Sequence, residues 1–170
     1  MRTVRSYRFV ADEQIVAATR ASTHLAGSLV RGQGLTYRLT VGGRQTQVVR
    51  LRNATYVRTV PHAWSRLHHP RQLANPTVTL LAILRDLRPD GLARVHGVTA
   101  VHGELAPAAA RRAGIPASQA AQVTLTLDRS GRIIALDVET TTQAGGHDVR
   151  VQLRTSYSGF GAVPRIRKPA

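Results

Sequence analysis

Between Leu35 and Thr59 the chain writes three strand patterns in 25 residues: LTYRLTV, a Gly42-Gly43 turn, QTQVVRL, a short Arg52-Asn53 turn, and ATYVRT. Tyr37, Leu39 and Val41 fall on one face of the first pattern and Arg38 and Thr40 on the other. That is the period of two of a half-buried strand. Gly42-Gly43 suits a two-residue hairpin whose backbone needs positive φ. Connections this short join only antiparallel neighbours, so the block predicts a meander.

The flanking sequence extends that pattern. Residues 6–18 read as a first strand with Tyr7, Phe9 and Ala11 on one face, and residues 22–33 as a second with Leu25, Gly27 and Leu29 aligned. Gly27 in mid-strand would allow a kink or a bulge of the kind that curls a sheet. Residues 61–71 read as a polar connection. Residues 76–88 are the clearest helix: Asn75 is the expected N-cap, Pro76 fits the first helical position and Pro89 stops the run. Leu80, Leu81, Leu84 and Leu87 recur at helical spacing, broadened by Val78 and Ile83, so this helix is expected to lie on a sheet face.

After Gly91 the strand pattern returns over 92–95 and 98–102, broken at Gly97. A short helix or irregular excursion follows over 106–114. QVTLTLD and RIIALDVETTT then form a hairpin about Arg129-Ser130-Gly131, and Gly145-Gly146 leads into a last strand, DVRVQLRTSY. Beyond Gly159 the pattern is that of a loose basic tail. No repeat or linker is visible, which predicts one domain over 1–170, with its core at 6–157 and the tail at 159–170. The fold class that follows is α+β: a strongly curved antiparallel sheet of about eight to ten strands with one main helix.

Charge is the other strong signal. Twenty-four basic residues oppose nine acidic ones, a net charge of +15, and only Lys168 is a lysine. Such a chain attracts polyanions: nucleic acid, anionic headgroups or an acidic partner. The arginines are scattered along the strands without a basic run, a basic helix or interleaved aromatics, which argues for solvated strand faces over a nucleic-acid surface. Cysteine is absent, which removes disulfides, thiolate metal sites and a cysteine nucleophile. No apolar run approaches the length of a transmembrane helix, and the opening MRTVRSYRFV is strand-like without an apolar signal core.

Catalytic patterns are missing. His68-His69 are adjacent and point apart on an extended chain, and no HxH or HExxH spacing occurs. Asp137 and Glu139 point the same way from one strand, but facing arginines are the expected partners. No GxSxG elbow or phosphate-cradling glycine loop appears. The reading is therefore no catalytic residue, no metal and no cofactor. Trp64 reads either as a core plug or as part of the rim of a ligand cavity.

Taken in order, the SYRF strand, the strand with a mid-strand glycine, the meander GG-R-x-x-x-VVR-L-x-NATYVR, the tryptophan of HAWSRL, the NPTVTLLAIL helix and the VTLTLDRSGRIIAL hairpin resemble a known family. It is that of the LolA-like half-barrel lipid-binding lipoproteins, nearest to the actinobacterial LppX and LprG type. The resemblance implies a curved antiparallel sheet whose concave face, covered by helix, holds acyl chains. Transferred to this chain, it makes Leu80, Leu81 and Leu84 the lid. Tyr37, Leu39, Val49, Leu51, Trp64, Val123, Leu125 and Leu136 then line or fill the cavity. Members are commonly exported and often carry a lipid-modified cysteine, which this sequence lacks.

The expected function is non-catalytic binding or carriage of an acyl-chain lipid or similar amphiphile at the cell envelope, by a monomer whose positive charge also suits an anionic membrane surface and which is not expected to bind nucleic acid. Two alternatives stand beside it: a ligand-free structural or protein-binding envelope module, and a basic nucleic-acid-associated module.

Overall fold

A computed structural model describes residues 5–16, 20–68 and 76–169. The strands are β1 (Ser6–Val16), β2 (Arg20–Val30), β3 (Gly34–Val41), β4 (Arg44–Leu51), β5 (Thr55–Thr59), β6 (Ser65–Leu67), β7 (Arg88–Val95), β8 (Val98–Leu105), β9 (Ala121–Leu127), β10 (Ile133–Ala144) and β11 (His147–Ser158). The helices are α1 (Pro76–Asp86), between β6 and β7, and α2 (Pro107–Arg112), between β8 and β9. The strands form one open antiparallel sheet in the order β6-β5-β4-β3-β2-β1-β11-β10-β9-β8-β7. The fold is α+β as expected, with eleven strands instead of eight to ten.

The tight turns follow the glycines. Gly42 and Gly43 have φ of 53° and 78° and close β3 onto β4 at Val41 opposite Arg44. Positive φ at both central positions gives the hairpin its twist without steric cost, since glycine has no Cβ. Asn75, the expected N-cap of α1, lies outside the described residues. The helix ends at Asp86, two residues earlier than the sequence suggests, and Arg88 already belongs to β7. β6, inside the stretch read as a connection, is three residues long, too short to show a period.

The chain divides into two compact units. Unit 1 comprises residues 1–11, 23–73 and 157–170. The β2–β3 ladder runs unbroken from Thr23 opposite Val41 to Val30 opposite Gly34. Gly27 therefore makes no bulge against β3. It makes room instead: a Cβ there would lie 2.7 Å from Phe9 Cζ and 2.5 Å from Tyr37 Cβ. Phe9, Leu25, Leu35, Tyr37 and Val48 are buried around this point.

The C-terminal segment is not loose. Gly161 N–H donates to Ser6 O at 2.9 Å, Ile166 N–H to Gln33 Oε1 at 3.3 Å, and Lys168 Nζ stands 5.9 Å from the centre of the Tyr56 ring. Tyr7 meets Tyr157 edge-on at 5.6 Å and Phe160 at 6.4 Å. These rings anchor the start of the segment, and hydrogen bonds carry it onward.

Unit 2 comprises residues 12–22 and 74–156. Val123 pairs with Val138, and Leu125 with Leu136, on one face of the β9–β10 ladder. All four are buried, with Leu105, Val149 and Val151. From the helices and the loop after α2 come Ile83, Ala109, Ala110, Ala113 and Ile115, also buried. Gly103 lets the end of α1 approach: a Cβ there would lie 3.0 Å from Leu87 Cδ1 and 2.5 Å from Arg88 O. Gly103 is opposite Val123, so α1 lies on the same face as the buried valines and leucines.

Candidate functional site

Strand register sorts the residues assigned to a cavity. In unit 1, Tyr37 is opposite Gly27 and Val48, and Leu39 is opposite Leu25 and Thr46, so these share the face that carries Phe9. Val49 pairs with Tyr56 and Thr36, one position out of phase, and Leu51 follows two residues later. Side chains alternate across a strand, so Val49 and Leu51 lie on the opposite face from Tyr37 and Leu39. The face with Val49 and Tyr56 is the one over which Lys168 sits. A single cavity cannot be lined from both faces. The sequence assigned both because Val48 and Val49 are apolar at consecutive positions, which hides the period of two.

Trp64 is half-buried, with the Arg58 guanidinium 5.0 Å from its ring centre. Arg58 also donates to Gln47 Oε1 at 2.7 Å. The pair is a cation–π contact held by a neighbouring strand.

In unit 2, Val123, Leu125 and Leu136 do come together, on the face beneath α1. The helix is turned differently from the expected lid. Ile83 is fully buried and Leu80 half-buried, whereas Leu81 is 60% and Leu84 41% exposed. At 100° per residue, Ile83 and Leu87 share one face, Leu81 points to the opposite side, and Leu84 lies on the flank between them. A run of leucine and isoleucine on nearly every side gives no sequence signal for which side packs. Among the described residues the exposed leucines are Leu81, Leu84 and Leu92, so all lie on α1 or β7.

Sequence reasoning missed a cleft of about 330 Å³ at the end of the β4–β5 hairpin, lined by Arg50, Arg52, Asn53, Thr55, Arg66 and His68 among others. Arg50 faces Thr55 across the ladder, and Thr55 faces Leu67. Arg66 Nη2 donates to Asn53 O at 3.4 Å, spanning the turn. The cleft brings together arginines that are far apart in the text of the sequence. On the Tyr37 face nearby, the Tyr37 hydroxyl is buried without a hydrogen-bond partner. Burial pushes its phenol up to about 12, against the opposing pull of Arg50.

The carboxylates are engaged as the sequence suggested. Asp137 pairs with Arg154 at 3.3 Å, and Glu139 pairs with Arg150. Asp86 receives both Arg85 at 3.0 Å and Arg112 at 2.9 Å, which ties the end of α1 to the end of α2. Among the described residues no group of three His, Asp or Glu side chains converges as a metal-binding set. No described helix is long and apolar enough to cross a membrane.

No protein-family model matches the chain, and no curated protein matches its sequence. Solved structures do. The chain is similar to the lipoprotein LppX of Mycobacterium tuberculosis, with a TM-score of 0.59 and 11% identity over 98% of this chain and 91% of that one. Weaker likenesses are to MucB in the Pseudomonas aeruginosa MucA/MucB complex (TM-score 0.36, 20% identity, 97% and 56% covered) and to a LolA-superfamily protein of Nitrosomonas europaea (0.28, 11%, 97% and 87%). At such identities the likeness is one of fold, and LppX carries it: the chain has the LppX-type fold that its strand, helix and hairpin order resembled.

Proposed function

We propose that the protein binds or carries an acyl-chain amphiphile at the cell envelope without catalysing a reaction on it. The observation that carries this reading is the concentration of exposed leucine on α1 and β7, in a chain with the fold of a lipoprotein. Scattered apolar side chains on a surface need no explanation, but a short helix that leaves two leucines exposed does. An acyl chain laid against Leu81, Leu84 and Leu92 gains about 0.8 kcal/mol for each methylene removed from water, enough for useful affinity with no polar contact. Val123, Leu125 and Leu136 belong to the buried face under α1 and support the helix from below. In unit 1 the reading draws on Tyr37 and Leu39, on the Phe9 face, and leaves Val49, Leu51 and Trp64 to packing.

Native mass spectrometry of protein purified from its own host, followed by solvent extraction, tests the proposal. The expected result is a bound species that releases a lipid and can be reloaded with it. Repeated preparations that carry no lipid, and cannot be loaded with any, would falsify it.

A further inference from the structure

The division into units reveals an asymmetry that the linear sequence conceals. All nine carboxylate side chains of the protein belong to unit 2, where ten basic residues accompany them. Unit 1 holds the other fourteen arginines and lysines and no aspartate or glutamate at all. Nearly the whole net charge of +15 therefore resides in unit 1. The arginine–carboxylate pairs at Asp86, Asp128, Asp137 and Glu139 are internal to unit 2. Within unit 1 the guanidinium groups have no side-chain carboxylate to pair with. Holding so much like charge in one unit is unfavourable by itself, and a bound anion relieves it.

We propose that the cleft at the β4–β5 hairpin is an oxoanion site, taking a phosphate or sulfate group borne by a lipid headgroup or free in solution. The cleft is where this charge converges in a concave setting, with Arg50, Arg52, Arg66 and His68 around about 330 Å³. Guanidinium forks match the oxygens of phosphate in pairs, and a recess with one sign of charge concentrates the field that draws such a ligand in. Asn53 and Thr55 add neutral polar groups on the same wall. Arg66 bridges to Asn53 O, so one wall of the cleft is positioned before any ligand arrives. The site lies within unit 1, whereas the exposed leucines of α1 belong to unit 2, and it does not depend on the acyl-binding reading.

The test uses the full chain and a probe without an acyl chain. Titration with inorganic phosphate, followed through backbone amide shifts, should give a saturable response at Asn53, Ala54 and Thr55 that weakens as salt rises. Replacing Arg52 and Arg66 together by alanine should weaken it at least about tenfold, since two charge-assisted hydrogen bonds are lost. Replacing Arg38 and Arg44, both exposed elsewhere in the unit, removes the same charge and should change affinity by less than about threefold. Circular dichroism establishes that each variant is folded. A parallel arm measures binding to phosphatidylcholine vesicles with and without phosphatidylglycerol. Response to both probes identifies the phosphate itself as the ligand. Response to the anionic vesicles alone, abolished by the Arg52/Arg66 replacement, identifies the headgroup as its source. Equal losses in the two double variants would overturn the site in favour of diffuse charge, as would silence toward both probes. So would duplex DNA displacing the vesicles while the Arg52/Arg66 replacement has no effect.

Discussion

Phe9 occupies the space that a side chain on Gly27 would need: a Cβ at Gly27 would come within 2.7 Å of Phe9 Cζ. The same Cβ would stand 2.2 Å from Thr36 O, which is backbone and cannot swing away. Phe9 is 1% exposed, and its burial is worth about 1.5–3 kcal/mol. Gly27→Ala should therefore destabilise the protein by about 2 kcal/mol or more, because it both displaces Phe9 and strains the β2–β3 ladder. Urea denaturation measures this as a lowered midpoint. A Gly27→Ala protein as stable as the parent would mean that Phe9 is not seated on the glycine.

Tyr37 presents the opposite case, a buried group that lacks something. Its hydroxyl has no partner, and an unsatisfied buried hydroxyl costs about 1–3 kcal/mol. Tyr37→Phe should thus leave stability unchanged or raise it by about 1 kcal/mol. The phenol also titrates late. Its folded pKa, about 12, lies above the ordinary value of 10.0, so its contribution is complete below pH 10 and is lost as pH rises through about 12. Ultraviolet titration of phenolate absorbance should show one late-ionising tyrosine fewer in Tyr37→Phe. An unchanged titration curve would place the buried phenol elsewhere.

Gly27 and Tyr37 also show how far the sequence could be read. The alternation of Tyr37, Leu39 and Val41 and the turns at Gly42-Gly43 and Gly145-Gly146 are local signals, and the hairpins they predict are present. What Gly27 does depends on Phe9, eighteen residues away, and a partner at that distance leaves no trace in a local pattern. The apolar run of α1 was legible as a helix, but with leucine or isoleucine on most sides it did not reveal that Ile83 points inward and Leu81 outward. Charge was legible as a total and misleading as a distribution. The arginines are evenly scattered in sequence, and it is the carboxylates that are segregated, a fact visible only once residues 1–11, 23–73 and 157–170 come together.

Asp86 ties α1 to α2 through Arg85 and Arg112, and this bridge should be acid-labile within a defined window. Hydrogen bonds from Arg85 and then Arg112 lower the Asp86 carboxyl from 3.8 to about 2. A lowered folded pKa means that the bridge contributes fully above pH 3.8 and is lost as pH falls through about 2. Carboxyl NMR should find the Asp86 midpoint near 2 in the parent. In Arg112→Ala the midpoint should move upward without reaching 3.8, since Arg85 remains. A midpoint indifferent to Arg112 would show that the inter-helix contact does not form in solution.

Leu81 and Leu84 separate binding from stability more cleanly than any buried position can. Both are exposed, at 60% and 41%, so Leu81→Gln with Leu84→Gln should alter folding free energy by no more than about 1 kcal/mol; glutamine keeps the helix propensity. If an acyl chain lies against them, the same pair removes apolar contact worth about 1–2 kcal/mol, and affinity for a fluorescent long-chain fatty acid should fall about tenfold. Ile83→Ala should behave in reverse. That side chain is fully buried, so its truncation should cost about 2–5 kcal/mol of stability. Its effect on binding should then appear only as far as the folded fraction falls. A glutamine pair that binds the fatty acid as tightly as the parent would remove α1 from the binding surface and leave its exposed leucines without a role in amphiphile capture.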